Sequence, residues 1–245
     1  MHKYLQICKD YAFITFNSII LVILLYCSLL YTQHINLFSQ EKVVVLGNKY
    51  VKQNIILDAM NMGTGESIFS HDLGELQDNV ESIEFVKSVK VSRILPSTLM
   101  IQVLERSPVI LVLLGDKKYF FDVEQTPLLA SKEAINFFPV PIMTFENNGP
   151  LKLGDFELTK ALRFVNKSKA IHNELYTNLS EVRYKNNNLS LITDELTKID
   201  LGDNQALYKI SILKEFQHTV KDKRSLNDYA YINLIIDKQI IVREH

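Results

Sequence analysis

The chain has 245 residues, 47% hydrophobic and 22% charged, with 8 Gly, 6 Pro and a formal net charge of −1. This composition excludes a disordered tail protein, a collagen-like repeat and a multi-span membrane protein, and the lack of a basic excess argues against nucleic acid as a main partner. Two cysteines, Cys8 and Cys27, cannot build a disulfide scaffold or a cysteine-rich zinc site.

No Asp, Glu, Lys or Arg lies between Asp10 and Glu41. As a helix, Tyr11 to Tyr31 reaches about 30 Å, the thickness of a hydrocarbon core. Its few polar residues are Thr15, Asn17, Ser18 and Ser28, whose hydroxyls can bond back to their own helix, and Tyr11 and Tyr31 mark the flanks. A cleaved signal peptide would be shorter and would end in small residues. Residues 11–31 therefore read as a retained transmembrane helix, behind a tail of residues 1–10 and ahead of a linker of residues 32–42. Lys3 and Lys9 before the span, against Lys42, Lys49 and Lys52 after it, leave its orientation open.

Beyond the linker, Val43–Val45 reads as a strand and Gly47-Asn48 as a turn. Lys52 to Met60 carries Ile55, Ile56, Ala59 and Met60 at helical spacing, and Gly63-Thr-Gly65 ends it. Asp72 and Glu75 suggest a capping box for a helix with Leu73, Leu76, Val80 and Ile83 on one face. The period then changes to two, with Val89, Val91 and Arg93 on one face of a strand. A turn at Leu95-Pro-Ser-Thr98 leads into a strand with Leu99, Ile101 and Val103. The order strand, helix, helix, strand, strand predicts a small α+β module over 43–107.

From Pro108 to the end, short strands are predicted at Val109–Leu114, Tyr119–Val123, Ile142–Phe145, Leu179–Tyr184, Leu189–Thr193 and Lys198–Leu201. Turns at Gly115-Asp116, Asn147–Pro150, Asn186–Asn188 and Gly202-Asp203 separate them. Two helices interrupt this β-rich domain, near Glu157–Lys167 and Gln205–Gln217. Tyr229 to Val242 reads as a hairpin turning near Asp237-Lys238.

No catalytic constellation emerges. The histidines lack metal spacing, no His-Glu-x-x-His or Gly-x-Ser-x-Gly occurs, and the soluble part has no cysteine. Gly63-Thr-Gly-Glu-Ser67 lacks the Gly-Lys-Ser/Thr ending of a phosphate loop and reads as a plain loop. His172, beside Asn173 and Glu174, reads as a surface residue. No catalytic, cofactor or metal residue is expected, and the chain is not expected to be an enzyme.

Several runs point further: Val45-Leu-Gly-Asn48, Glu66-Ser-Ile-Phe69 and Phe85-Val-Lys-Ser-Val-Lys-Val91. They end in Arg93-Ile-Leu-Pro-Ser-Thr-Leu-Met-Ile-Gln-Val-Leu-Glu-Arg-Ser-Pro108. This order resembles the POTRA module of the bacterial cell-division proteins FtsQ and DivIB. Tyr119-Phe-Phe-Asp122, Phe138-Pro-Val140, Ser180-Glu-Val182, Ile199-Asp-Leu-Gly202 and Tyr231-Ile-Asn-Leu234 extend the likeness through a β domain at 108–245. The chain departs from the family where Asp-x-x-Gly becomes Asp122-Val-Glu-Gln125, where Pro-Val-Ala becomes Pro108-Val-Ile110, where Asp-Leu-Arg becomes Asn233-Leu-Ile235, and in having no Trp.

The resemblance implies an inner-membrane, single-pass protein at the division septum, its N-terminus cytoplasmic and its domains outside. It implies a non-enzymatic scaffold that binds FtsB- and FtsL-type partners and so connects recruitment to septal peptidoglycan synthesis. On this reading Ser88, Val91 and Arg93 of the second POTRA strand form a recruitment surface. A partner segment adds as a strand at the β-domain edge, bordered by Ile235, Ile236, Asp237, Lys238 and Ile240. An unpaired terminal hairpin suits this, because its free N–H and C=O groups can take another strand. A POTRA-bearing envelope transport or assembly component is the alternative, which predicts several POTRA modules in tandem.

Overall fold

A computed structural model describes residues 2–34, 38–39, 42–63, 66–145, 154–185, 187–202 and 205–245. The chain divides into two compact units, Met1–Glu105 and Arg106–His245. The turn expected at Asn147–Pro150, and parts of those at Gly63–Gly65, Asn186–Asn188 and Gly202-Asp203, lie outside the described residues.

The first unit begins with helix α1 (His2–His34). Within it, Phe13–Thr32 is long and apolar enough to cross a membrane, and none of that stretch is buried against the rest of the chain. Backbone polar groups in such a stretch must be satisfied internally. Two of its hydroxyls bond back to their own helix, Ser18 donating to the Ile14 carbonyl and Thr32 to the Leu29 carbonyl.

Next come β1 (Lys42–Leu46), α2 (Gln53–Met60), α3 (Leu73–Glu81), β2 (Val86–Ile94) and β3 (Thr98–Glu105). The sheet order is β1-β3-β2, with β1 parallel and β2 antiparallel to β3. One sheet face packs Val89, Val91, Leu99, Ile101 and Val103 under Ile56, Met60, Leu76 and Val80 of the two helices. The expected order of elements is what forms. Asp72 caps α3 by accepting from the Gly74 N–H at 2.7 Å, one position earlier than a capping box would place the bond. A bulge between Val86 and Ser88 lets both Val86 and Val89 point inward while Lys87 and Ser88 stay exposed. Gly47 holds φ +88°, and a Cβ there would collide with the Val103 carbonyl oxygen, so the turn after β1 requires glycine.

The second unit contains β4 (Pro108–Leu114), β5 (Lys117–Asp122), β6 (Pro127–Leu129), α4 (Lys132–Phe137), β7 (Ile142–Phe145), α5 (Phe156–Ile171) and α6 (Asn173–Thr177). It continues with β8 (Leu179–Lys185), β9 (Asn188–Thr193), β10 (Lys198–Gly202), α7 (Ala206–Val220), β11 (Tyr229–Asn233) and β12 (Ile241–Glu244). They build one nine-stranded sheet in the order β12-β11-β10-β9-β8-β7-β4-β5-β6. β10 and β11 pair in parallel across the α7 crossover, and β7 pairs in parallel with β8 across α5 and α6. Leu158, Ala161, Leu162 and Val165 of α5 and Ile210 and Leu213 of α7 join Val112, Val182, Leu191, Ile199 and Ile232 in the main core.

Besides a 3-10 turn at Leu226–Asp228, one strand and two helices go beyond the expected elements: β6, α4 and α6. Each is six residues or shorter, too short for hydrophobic periodicity to show. On the sheet face away from the main core, Leu111, Phe120 and Leu128 align across β4, β5 and β6, and the Phe138 ring meets Phe120 at 5.8 Å.

The two charges of Glu105-Arg106 serve different units. The Glu105 carboxylate accepts from the backbone N–H groups of Tyr50 and Val51. Arg106 donates to Asp122 at 2.8 Å and to Thr126 at 3.2 Å. Asp122 in turn folds the β5–β6 turn by accepting from the Glu124 and Thr126 N–H groups. Gln125, where the resembling family has glycine, takes φ +64° in that turn.

His172, expected on the surface, is 4% exposed, because it forms the corner between α5 and α6. Its Nε2 lies 2.8 Å from Gln217 Oε1, and Gln217 donates its amide to Glu174 at 2.8 Å. These residues, with Lys214, His218, Glu215 and Lys221, line a cleft of about 400 Å³. Burial holds the His172 pKa below its ordinary 6.5, outweighing the raising effects of Gln217 and Glu174. The unfolded chain therefore binds more protons, so stability falls as pH drops below 6.5 toward the folded-state pKa and is indifferent to this group above 6.5. The urea midpoint of the second unit should fall more for the parent chain than for His172→Gln between about pH 7.5 and 5.5.

Candidate functional site

β12 is an outermost strand of the large sheet. It pairs with β11 through Asn233↔Ile241, Ile232↔Val242 and Tyr231↔Arg243. Among the described residues nothing pairs with its other side, and all four of its residues are exposed. Alternation assigns Val242 and Glu244 to the side of buried Ile232 and Tyr229, and Ile241 and Arg243 to the opposite, helix-free side. The strand thus offers an unpaired backbone ladder with one branched apolar residue on each face.

The hairpin expected over Tyr229–Val242 is shorter than its apolar run suggests. β11 stops at Asn233, β12 starts at Ile241, and the turn does fall at Asp237-Lys238, where Lys238 has φ +62°. Ile235, Ile236, Asp237 and Lys238 are thus in the connection leading into the edge strand, all exposed, while Ile240 packs partly against the core. The cause is local. The Ile235 N–H is taken by the Asn233 side chain at 2.8 Å, and the Ile235 carbonyl accepts from Lys209 Nζ at 3.5 Å. Both backbone groups are diverted from a ladder.

Lys209 lies within the helix expected near Gln205–Gln217 but is not among the residues the sequence singles out. It is 6% exposed, and its ammonium also donates to the Leu201 carbonyl at 2.8 Å. β10 and β11 separate at this point, after the Leu234 N–H makes a last bond to the Asp200 carbonyl. Lys209 bridges the two diverging carbonyls that follow and fixes where the connection leaves the sheet. Only an apolar face interrupted by a lysine could have hinted at this. Lys209→Met keeps the stem and removes the donor. It should speed exchange of the β12 amides that bond to β11 by about tenfold or more, corresponding to loss of a charged hydrogen bond of about 1.5–3 kcal/mol. Lys209→Arg should restore part of the protection.

On the helix-free face beside this connection, Tyr231 donates to Asp200 at 2.8 Å, Asn233 donates to the Tyr231 hydroxyl, and Lys198 pairs with Asp200 at 3.0 Å. Burial, then the bond to Asp200, raises the Tyr231 pKa, so its hydroxyl remains a donor. Ile235, Gly202 and Asp200 border a cleft of about 240 Å³ there. Among the described residues no group of three or more His, Cys, Asp and Glu side chains could hold a metal ion.

The three POTRA residues are not equivalent. Ser88 is exposed at the bulge, Val91 is 8% exposed beneath the helices, and Arg93 donates to the Ile68 and His71 carbonyls at 2.6 and 2.7 Å. β2 is one of the two outer strands of its sheet, and the Val89 N–H is taken by the Glu81 carboxylate at 2.8 Å.

A three-stranded sheet under two helices in this order is the architecture of a POTRA domain, and residues 38–106 match the model for the POTRA domain, FtsQ-type. The chain is 34% identical to a cell division protein FtsQ of Rickettsia bellii over 87 residues, covering 36% of this chain and 33% of that protein. It is 26% identical over 164 residues to the cell division protein DivIB of Clostridium acetobutylicum, covering 66% of this chain and 61% of that protein. With FtsQ of Corynebacterium glutamicum it shares 28% over 128 residues, covering 52% and 54%. The aligned part spans 33% of the length of the Rickettsia relatives. The resemblance to the FtsQ/DivIB family is borne out by these similarities.

Proposed function

We infer that this chain is a membrane-anchored, non-catalytic docking protein of bacterial cell division, with residues 43–107 as its POTRA module and 108–245 as its β domain. It takes a segment of a small FtsB- or FtsL-type partner as an added strand along β12 and so links division-site recruitment to septal peptidoglycan synthesis. The observation that carries this is the unpaired edge at Ile241–Glu244, every residue of it exposed, in a chain similar to FtsQ and DivIB proteins. Backbone pairing supplies affinity in such a mode, and side chains on either face of the edge supply specificity.

In this reading Ile235, Ile236, Asp237 and Lys238 border the incoming segment, and Ile240 supports the edge from the core side. Ser88, Val91 and Arg93 mark the POTRA strand that faces a recruiting protein, with Ser88 offering the contact and the other two holding the strand in shape. The N-terminus lies in the cytoplasm and residues 43–245 lie outside the inner membrane, at the septum. A fluorescent fusion of the full chain, expressed in its own bacterium, should form a midcell band and co-purify with the FtsB-type protein of that cell. Uniform envelope fluorescence without co-purification would overturn the reading.

A further inference from the structure

Outside α1, three exposed large apolar side chains, Phe69, Ile94 and Leu95, lie at one end of the first unit. β1 runs parallel to β3 with Lys42 beside Thr98, and the Lys42 N–H reaches the Ser97 carbonyl at 3.4 Å. The start of β1 therefore shares its end of the sheet with the β2–β3 turn. That turn exposes Ile94 by 43% and Leu95 by 62%. The segment before β1 is strapped to the same end. The Phe38 carbonyl accepts from the Ile68 N–H at 2.9 Å, Ser39 bridges to Ser67, and the Phe38 and Phe69 rings meet edge-on at 5.4 Å. Phe69 is itself 53% exposed, with the Arg93 guanidinium 5.4 Å over its ring. The opposite end, around Lys49 and Glu105, also exposes Leu46 by 46% and Leu104 by 56%, so chain connectivity decides which end faces a bilayer.

Chain length says what faces the apolar end. The apolar stretch of α1 ends at Thr32, and the strap begins at Phe38. Six residues reach no more than about 20 Å, of which the headgroup layer takes up about 5–8 Å. Connectivity thus holds the Phe38 end of the module, not the Lys49 end, next to the bilayer that α1 crosses.

We propose that this end of the POTRA domain is a membrane-contacting surface, with Ile94 and Leu95 dipping into the headgroup–acyl boundary, Phe69 beside them and exposed Lys42 among the lipid phosphates. Apolar tips flanked by an aromatic ring and a lysine are suited to that boundary, where one end of a side chain is apolar and the other wet. The second contact fixes the tilt of the module over the bilayer, which a single helix and a short strap leave free. The proposal rests on α1 spanning a membrane and is independent of strand addition at β12.

The test uses the full chain with Cys8→Ser and Cys27→Ser, reconstituted in vesicles of phosphatidylethanolamine and phosphatidylglycerol that carry a nitroxide-labelled phospholipid. A fluorophore on Ser97→Cys should be quenched severalfold more strongly than one on Lys49→Cys, and Leu95→Asp should abolish the difference. Equal quenching at the two positions, or quenching at 97 that survives both Ile94→Asp and Leu95→Asp, overturns the proposal. So does a probe at 97 that is shielded from solvent yet unquenched, since a protein would then occupy the tip. A chain that fails to float with the vesicles overturns the reading of α1 as well, whereas a floating chain unquenched at 97 overturns this proposal alone.

Discussion

Val242→Asp should weaken binding of an FtsB-type segment from the same bacterium by at least about tenfold, or about 1.4 kcal/mol. Val242 is 39% exposed on the core side of β12, opposite buried Ile232, so an added strand would cover its remaining surface. A carboxylate there must be desolvated, without a described cation beside it, for the same strand to add. In the free chain the side chain stays in water, so the substitution should cost the fold under about 1 kcal/mol. Ile142→Asp is the matched control. Ile142 is 41% exposed in β7, which β4 and β8 flank on both sides, so no strand can add there and affinity should not change. Titration of the detergent-solubilised full chain reads both variants, and equal affinities for the parent and Val242→Asp would discard β12 as the site.

The largest stability effect is expected at Arg106. Asp122 is 3% exposed, and one of its oxygens already accepts two backbone N–H groups of the β5–β6 turn. The other oxygen faces Arg106 Nη1 at 2.8 Å. Removing the guanidinium leaves a buried carboxylate without its countercharge, which typically costs about 3–5 kcal/mol. Exposed Glu124, 3.3 Å from the same nitrogen, adds little. Arg106→Ala should therefore lower the urea midpoint of the second unit sharply. Adding Asp122→Asn should recover part of the loss, since a neutral amide oxygen can still accept the turn's N–H groups. If the double variant is no more stable than Arg106→Ala, packing of the arginine stem and not the buried charge dominates.

The regular elements were legible because each left a periodic mark. Alternation at Leu99, Ile101 and Val103, and helical spacing at Leu76 and Val80, placed the POTRA core correctly. Likewise, six of the strands in the second unit stand where their apolar runs predict. What the residues concealed depends on long-range pairing. Nothing local distinguishes β10 and β11 as parallel neighbours, because that register is set by the α7 crossover. The run Tyr231-Ile-Asn-Leu-Ile-Ile236 looks like continuous strand, yet Asn233, two residues back, and Lys209, 26 residues back, capture the N–H and carbonyl of Ile235 and end it. His172 read as exposed because its neighbours are polar. Its burial comes from the corner it forms and from Gln217, 45 residues away. The expected edge residues lie in the connection ahead of the outermost strand, which itself begins at Ile241.

Amide hydrogen exchange along Ile241–Glu244, measured on the full chain with and without an FtsB-type segment of the same bacterium, asks most directly whether spare backbone groups do the binding. Strand addition predicts that the outward-facing amides of β12, fast in the free chain, become protected at saturation while β5 and β6 at the far side of the sheet are unaffected. Saturable binding that leaves exchange along β12 unchanged would contradict the account.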